Sequence, residues 1–182
     1  RGTFMRNASA LIASLALGVV TMPAQATITV LNQWHLGEAD AGAAAGGAGA
    51  AATVDSVGGF NLNKVGTPAY AADVPANIGS NLSLAFNGTT DEYMNSSGVA
   101  STLTDNFGIE AWVKSNGSTS GNAAIAYNGN TSTAGWGIYR LGGSYGLLYG
   151  GNIGATAAPI STQWTELALV RDNGTTTFYV NG

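Results

Sequence analysis

Asn173-Gly174 is the feature that most narrows the fold. A two-residue hairpin turn needs positive φ angles that Asn and Gly tolerate, so Asn-Gly between two runs of strand type is a strong hairpin signal. Both runs are there: WTELALVR at 164–171, followed by Asp172, and TTTFYV at 175–180. The same grammar recurs upstream. FGIEAWVK at 107–114 puts Phe107, Ile109, Ala111 and Val113 on one side of a strand and Glu110, Trp112 and Lys114 on the other. WGIYRL at 136–141 and YGLLY at 145–149 flank Gly142-Gly143-Ser144 and read as a second hairpin, and LSLAF at 82–86 runs into Asn87-Gly88. Residues 27–31 are β-branched and predict a further strand, and Trp34 and His35 are expected to begin the first strand of the domain, with His35 a hydrogen-bonded structural residue. Beyond Ala26 no long stretch repeats with a helical period. Many short strands separated by Gly, Asn, Ser and Pro predict an all-β antiparallel sandwich.

One stretch departs from this pattern. Residues 39–53 (ADAGAAAGGAGAAAT) are an Ala/Gly tract. Alanine favours helix, but each glycine costs a helix about 1 kcal/mol. A flexible surface loop is therefore expected, with a short helix as the alternative.

The N-terminus reads as an address. Met5-Arg6 precedes the uncharged run at 8–20, and small residues at the A-x-A spacing place a signal-peptidase cleavage after Ala26. The apolar run is shorter than the roughly 20 residues a membrane span requires, so a signal-peptide helix is favoured over an anchor. Residues 1–4 stand upstream of a plausible start. The expected organisation is a signal peptide over 1–26 and one domain over 27–182, with no membrane span once the signal is removed. Zero cysteines exclude disulfides, thiolate zinc and cysteine nucleophiles. Export without cysteines fits a secreted or envelope protein, bacterial rather than eukaryotic.

Only 9% of residues are charged, and six Lys+Arg face ten Asp+Glu. That excludes a phosphate-tracking surface and hence nucleic acid as a partner. Two motif matches carry no chemistry. Gly142-Gly143-Ser144-Tyr145-Gly146 spells a G-x-S-x-G elbow, but strand-like runs lie on both sides and the one histidine, His35, lies far upstream. Residues 47–52 spell G-x-G-x-x-A without a βαβ unit.

The strand at 107–114, the Trp136-Gly137 strand and WTELALVRDNGTTTFYVNG at 164–182 together resemble the LamG-like (laminin G/pentraxin-type) domain of the concanavalin A-like lectin/glucanase superfamily. Residues 33–38 (QWHLGE), 55–59 (DSVGG) and 83–88 (SLAFNG) look like further stations of its pattern, so the resemblance covers roughly 33–182. It implies a jelly-roll sandwich. Family members continue past the Tyr-Val-Asn-Gly strand, so the resemblance also implies a domain incomplete at its C-terminus, with more chain expected beyond Gly182. Thr165-Glu166 stand where the family often carries a histidine.

Many functions share this superfold. Its glucanases resemble one another through E-x-D-x-x-E; here Glu38-Ala39-Asp40 is followed by Ala43 in the third position, so a catalytic strand is not expected. A carboxylate pair assembled across strands, such as Glu110 with Glu166, is left open by the sequence. A non-catalytic recognition domain is the favoured reading, with carbohydrate as ligand ahead of adhesion to an extracellular protein partner. Sugar C–H faces stack on aromatic rings while their hydroxyls seek polar groups. The candidate ligand residues are Trp112, Trp136, Tyr139, Tyr145 and Tyr149. Of these, Tyr139 and Tyr145, beside the Gly-Gly-Ser turn, are expected to be exposed, whereas Trp112 and Trp136, like Trp164, fit packed positions. LamG-like and pentraxin domains often hold Ca²⁺ at a rim, which implies hard oxygen ligands; Asp55, Asn87, Asp91 and Glu92 stand at or near loop positions that suit it. Each is also an ordinary turn residue.

Overall fold

The computed structural model describes residues 28–76 and 78–182. The signal peptide over 1–26 and its cleavage point Ala26 lie outside the described residues.

The described chain is built of antiparallel strands, as the alternation predicts. Two short strands open it, β1 (Ala52–Thr53) and β2 (Leu62–Val65), followed by β3 (Ala69–Ala71), β4 (Ser83–Ala85) and β5 (Glu92–Met94). The main body follows: β6 (Phe107–Val113), β7 (Asn122–Asn130), β8 (Ala134–Leu141), β9 (Ser144–Tyr149), β10 (Asn152–Pro159), β11 (Thr165–Asp172) and β12 (Thr175–Val180). Two sheets face each other. One has the order β10-β9-β8-β7 and the other β12-β11-β6. Smaller sheets, β1-β2-β5 and β3-β4, carry the N-terminal part.

The core lies where the two large sheets meet. Phe107, Leu167 and Leu169 from one sheet pack with Trp136, Ile138 and Tyr145 from the other, and Ile109, Ala111, Val113, Phe178 and Val180 extend the layer. These are the residues that period-2 alternation assigns to one side of β6, β11 and β12. Phe107 and Trp136 stack across the interface with ring centroids 4.0 Å apart. At the β11–β12 turn, Asn173 (φ 46°) and Gly174 (φ 80°) both take the left-handed conformation between Asp172 and its partner Thr175. That is the type I′ geometry the dipeptide predicts, and it sets the register of β12.

A strap closes one margin of the sandwich. Residues 101–106 are held by side chains from four strands. Asn128 of β7 accepts from the Ser101 N–H (3.2 Å) and donates to its carbonyl (2.7 Å). The Trp136 indole of β8 donates to Leu103 O (2.9 Å). The Tyr149 hydroxyl of β9 and Arg171 Nε of β11 both donate to Thr104 O, each at 3.1 Å. Arg171 also stacks over the Tyr149 ring, 5.0 Å from its centroid.

The N-terminal part differs from expectation in three places. Residues 28–31 form no strand, and Trp34 makes only an isolated bridge to Asp55. His35 is exposed rather than built into a strand. The Ala/Gly tract is neither helix nor loose loop. Its backbone is stitched to the β3 region by Gly46 N–H to Tyr70 O (2.8 Å), Tyr70 N–H to Gly47 O (2.9 Å) and Gly49 N–H to Pro68 O (2.7 Å). The buried Tyr70 hydroxyl donates to Asp40 (2.8 Å) and accepts from Ala50 N–H. The small residues let these backbones approach: a Cβ on Gly49 would lie 2.6 Å from the Tyr93 hydroxyl.

Candidate functional site

The five candidate aromatics divide by the side of the sheet they occupy. Trp136 (8% exposed) and Tyr145 (1%) are core residues. The expectation of an exposed Tyr145 is corrected: it sits on the inner side of β9, where its hydroxyl accepts from Ser161 N–H (3.2 Å). Tyr149 packs against the core and its hydroxyl is taken by the strap. A buried Trp or Tyr needs a partner for its polar tip, and these find theirs inside the fold.

Tyr139, expected to be exposed, is half-buried on the outer side of the four-stranded sheet, directly opposite Gly146. Beside it is Tyr127, not foreseen from the sequence, whose ring lies against Gly137: a Cβ there would come within 2.8 Å of it. The Tyr127 hydroxyl is buried without a hydrogen-bond partner among the described residues. Tyr127 thus covers a glycine on the neighbouring strand, which shields that stretch of backbone from water.

Trp112 has the opposite environment: of the two packed positions expected for it, core or covered face, it is not in the core but half-buried on the outer side of its sheet. Cross-strand register puts two rows on the outer side of the three-stranded sheet. Glu110, Ala168 and Tyr179 form one row, Trp112 and Glu166 the next. Trp112 is half-buried and Tyr179 is 43% exposed. They stand two strands apart, about 10 Å across the sheet, with the small side chain of Ala168 leaving a trough between them. At one end Asp73, from the loop after β3, accepts from the Trp164 indole (2.9 Å) and from Lys114 Nζ (2.6 Å). Trp164 is thus half-buried at the margin of this face and not in the core. The two hydrogen bonds hold the Asp73 carboxyl below the usual carboxylate range.

Glu166 stands opposite Trp112 on β11, and Glu110 lies two residues along β6 from Trp112. Partial burial, and then the charge and hydrogen-bonding contact of Glu166, push the Glu110 carboxyl above its ordinary value. Neither carboxylate receives an N–H or O–H from a neutral or cationic group among the described residues. The arrangement offers two aromatic surfaces and a pair of acceptors on an open sheet face.

The four calcium candidates do not assemble as one group. Asp55 is 4% exposed and accepts from Asn32 Nδ2 (2.6 Å) and from the N–H groups of Gln33, Val57, Gly58 and Phe60. Burial raises its carboxyl, but these donors outweigh it and hold it far below the usual range. Its oxygens organise the 55–60 turn. Asn87 and Asp91 belong to a separate turn: Asn87 Oδ1 accepts from the N–H of Thr89, Thr90 and Asp91, while Asp91 accepts from Thr67 and Asn87. Glu92 follows in an exposed position. Among the described residues, no three His, Cys, Asp or Glu side chains gather as a metal-binding group.

A family model for laminin G-like domains, described as the concanavalin A-like lectin/glucanases superfamily, matches residues 86–182. The chain belongs to this family. The match takes in β5 to β12, and so both large sheets, the strap and the Trp112–Tyr179 face; the stretches at 33–38 and 55–59 precede it. Among curated proteins and among solved structures, nothing matches the chain. Laminin G-like domains are generally non-catalytic binding modules of extracellular proteins, although the superfamily also contains glycosidases. No helix among the described residues is long and apolar enough to cross a membrane.

Proposed function

We propose that this laminin G-like chain is an exported, non-catalytic glycan-recognition domain whose ligand lies across the Trp112–Tyr179 face. The observation that carries this is the register: Trp112 and Tyr179 stand two strands and one row apart on one open face, with the acceptor Glu166 and the small Ala168 on the strand between them. Sugar rings stack on such surfaces through their C–H faces while their hydroxyls donate to carboxylates. Retaining glycoside hydrolysis needs two carboxyl groups about 5–5.5 Å apart on either side of the bond to be broken. Glu110 and Glu166 are instead diagonal neighbours on one face of an open sheet, not on opposite walls of a cleft, which supports recognition over catalysis.

The test is a glycan array probed with the chain and with Trp112→Ala, with and without Ca²⁺. Binding that is lost in Trp112→Ala is expected. Silence on every sugar, or binding indifferent to Trp112, would remove the reading. The Ca²⁺ arm tests whether Asn87, Asp91 and Glu92 serve a rim ion.

A second reading, adhesion to an extracellular protein, is favoured by one observation. Exposed Leu31, Val99 and Leu103 line an open groove of about 520 Å³ beside the strap. Exposed apolar patches mark protein-contact and ligand sites, and this one presents no ring for a sugar to stack on. Leu103→Asp abolishing capture of an extracellular partner, with Trp112→Ala harmless, would favour it.

A further inference from the structure

The charge arrangement around the Trp112–Tyr179 face narrows the class of glycan it can take. Recognition of a sulfate or a carboxylate relies on free guanidinium or ammonium groups. Every Lys and Arg among the described residues is already engaged. Lys64 Nζ donates to Gly49 O (2.8 Å). Lys114 is paired with Asp73. Arg140 donates to Ser118 O (2.7 Å). Arg171 donates to Thr104 O and Thr176 Oγ1, and lies 3.4 Å from Asp105.

The carboxylates divide. Glu38, Asp40, Asp55, Asp73, Asp91, Asp105 and Asp172 all accept hydrogen bonds from protein groups. Glu92, in the separate β1-β2-β5 sheet, and Glu110 and Glu166, beside Trp112, have no such donor among the described residues. Two acidic groups held together on an open face repel each other unless a proton or an incoming donor lies between them. A ligand that brings hydroxyl groups relieves this repulsion, and one that brings further negative charge adds to it.

Resting on the glycan reading above, we propose that Glu110 and Glu166 are specificity determinants that make the Trp112–Tyr179 face select uncharged, hydroxyl-donating glycans and reject sulfated or carboxylated ones. Neither residue is assigned a part in breaking bonds. Trp112 and Tyr179 supply the stacking, and the two carboxylates choose the sign of charge that can approach.

The experiment is an array in which each neutral glycan is printed beside its sulfated or uronic-acid counterpart. It is probed with the full chain, with Trp112→Ala and with the double variant Glu110→Gln/Glu166→Gln, whose folding is checked by thermal melting. The chain should bind neutral members at least about ten-fold more tightly than their charged counterparts. The double variant should reduce that ratio to within about three-fold while still requiring Trp112. Trp112-dependent preference for the charged counterparts, or a ratio unchanged in the double variant, overturns this inference and leaves glycan recognition standing. A blank array, or binding indifferent to Trp112, overturns both.

Discussion

Two pairs of aromatic residues in this chain have opposite fates. Trp136 and Tyr149 sit on neighbouring strands with their rings against the core and their polar tips donating to the strap carbonyls of Leu103 and Thr104. Trp112 and Tyr179 sit on the other large sheet with their rings turned outward around Ala168. Residue type does not separate the pairs. Strand parity does, together with whether a backbone carbonyl lies within reach of the polar tip. An aromatic whose polar tip is bonded inside the fold contributes to stability. One left on an open face beside unpartnered acceptors is available to a ligand.

Substitutions should separate the two pairs. The largest effect is expected from Trp136→Ala, which removes the Phe107 stack and the Leu103 hydrogen bond. It should destabilise the fold by about 3–5 kcal/mol in denaturant unfolding, and a loss under 1 kcal/mol would mean the inner pair is not structural. Trp112→Ala should cost under about 1 kcal/mol of stability yet weaken glycan binding by at least about ten-fold, measured by calorimetry. Tyr149→Phe keeps the ring under Arg171 and deletes the hydroxyl bond to Thr104, so a loss of about 0.5–1.5 kcal/mol is expected, with binding unchanged.

The smallest effect is a pH dependence at Glu110. Its folded-state pKa is raised, so stability is fully present below the ordinary carboxylate value of 4.5 and declines as pH rises through the folded-state value. The titratable groups on this face are Glu166 of β11, Tyr179 of β12 beyond Ala168, and on its own strand Lys114, which is paired with Asp73. Glu110→Gln should therefore raise the melting temperature slightly at pH 7 and leave it unchanged at pH 3.5. An equal rise at both values would mean that neither burial nor Glu166 opposes its ionisation.

The outer face was half legible in the sequence. Alternation in FGIEAWVK already put Glu110, Trp112 and Lys114 together, and Asn173-Gly174 announced the turn that sets β12. Tyr179 joins them only through that turn's register, because Ala168 must stand opposite both Glu110 and Tyr179. The strap was not legible: its anchors Asn128, Trp136, Tyr149 and Arg171 are scattered along the chain and meet only once the sheets have paired. Nor were β7 (NAAIAYNGN) and β10 (NIGATAAP), whose Ala, Gly and Asn have weak strand preference and form ladders because β8 and β9 offer them backbone partners. The Ala/Gly tract misled for a related reason. Its order comes from backbone hydrogen bonds to residues 68–70, and composition is silent on those.

The most direct test follows the four indole N–H resonances of Trp34, Trp112, Trp136 and Trp164 by NMR during titration with a neutral glycan positive on the array. The account predicts a saturable shift at Trp112, a smaller one at Trp164, and none at Trp136 or Trp34. Movement confined to Trp136, with Trp112 still, would place the ligand at the strap and contradict it.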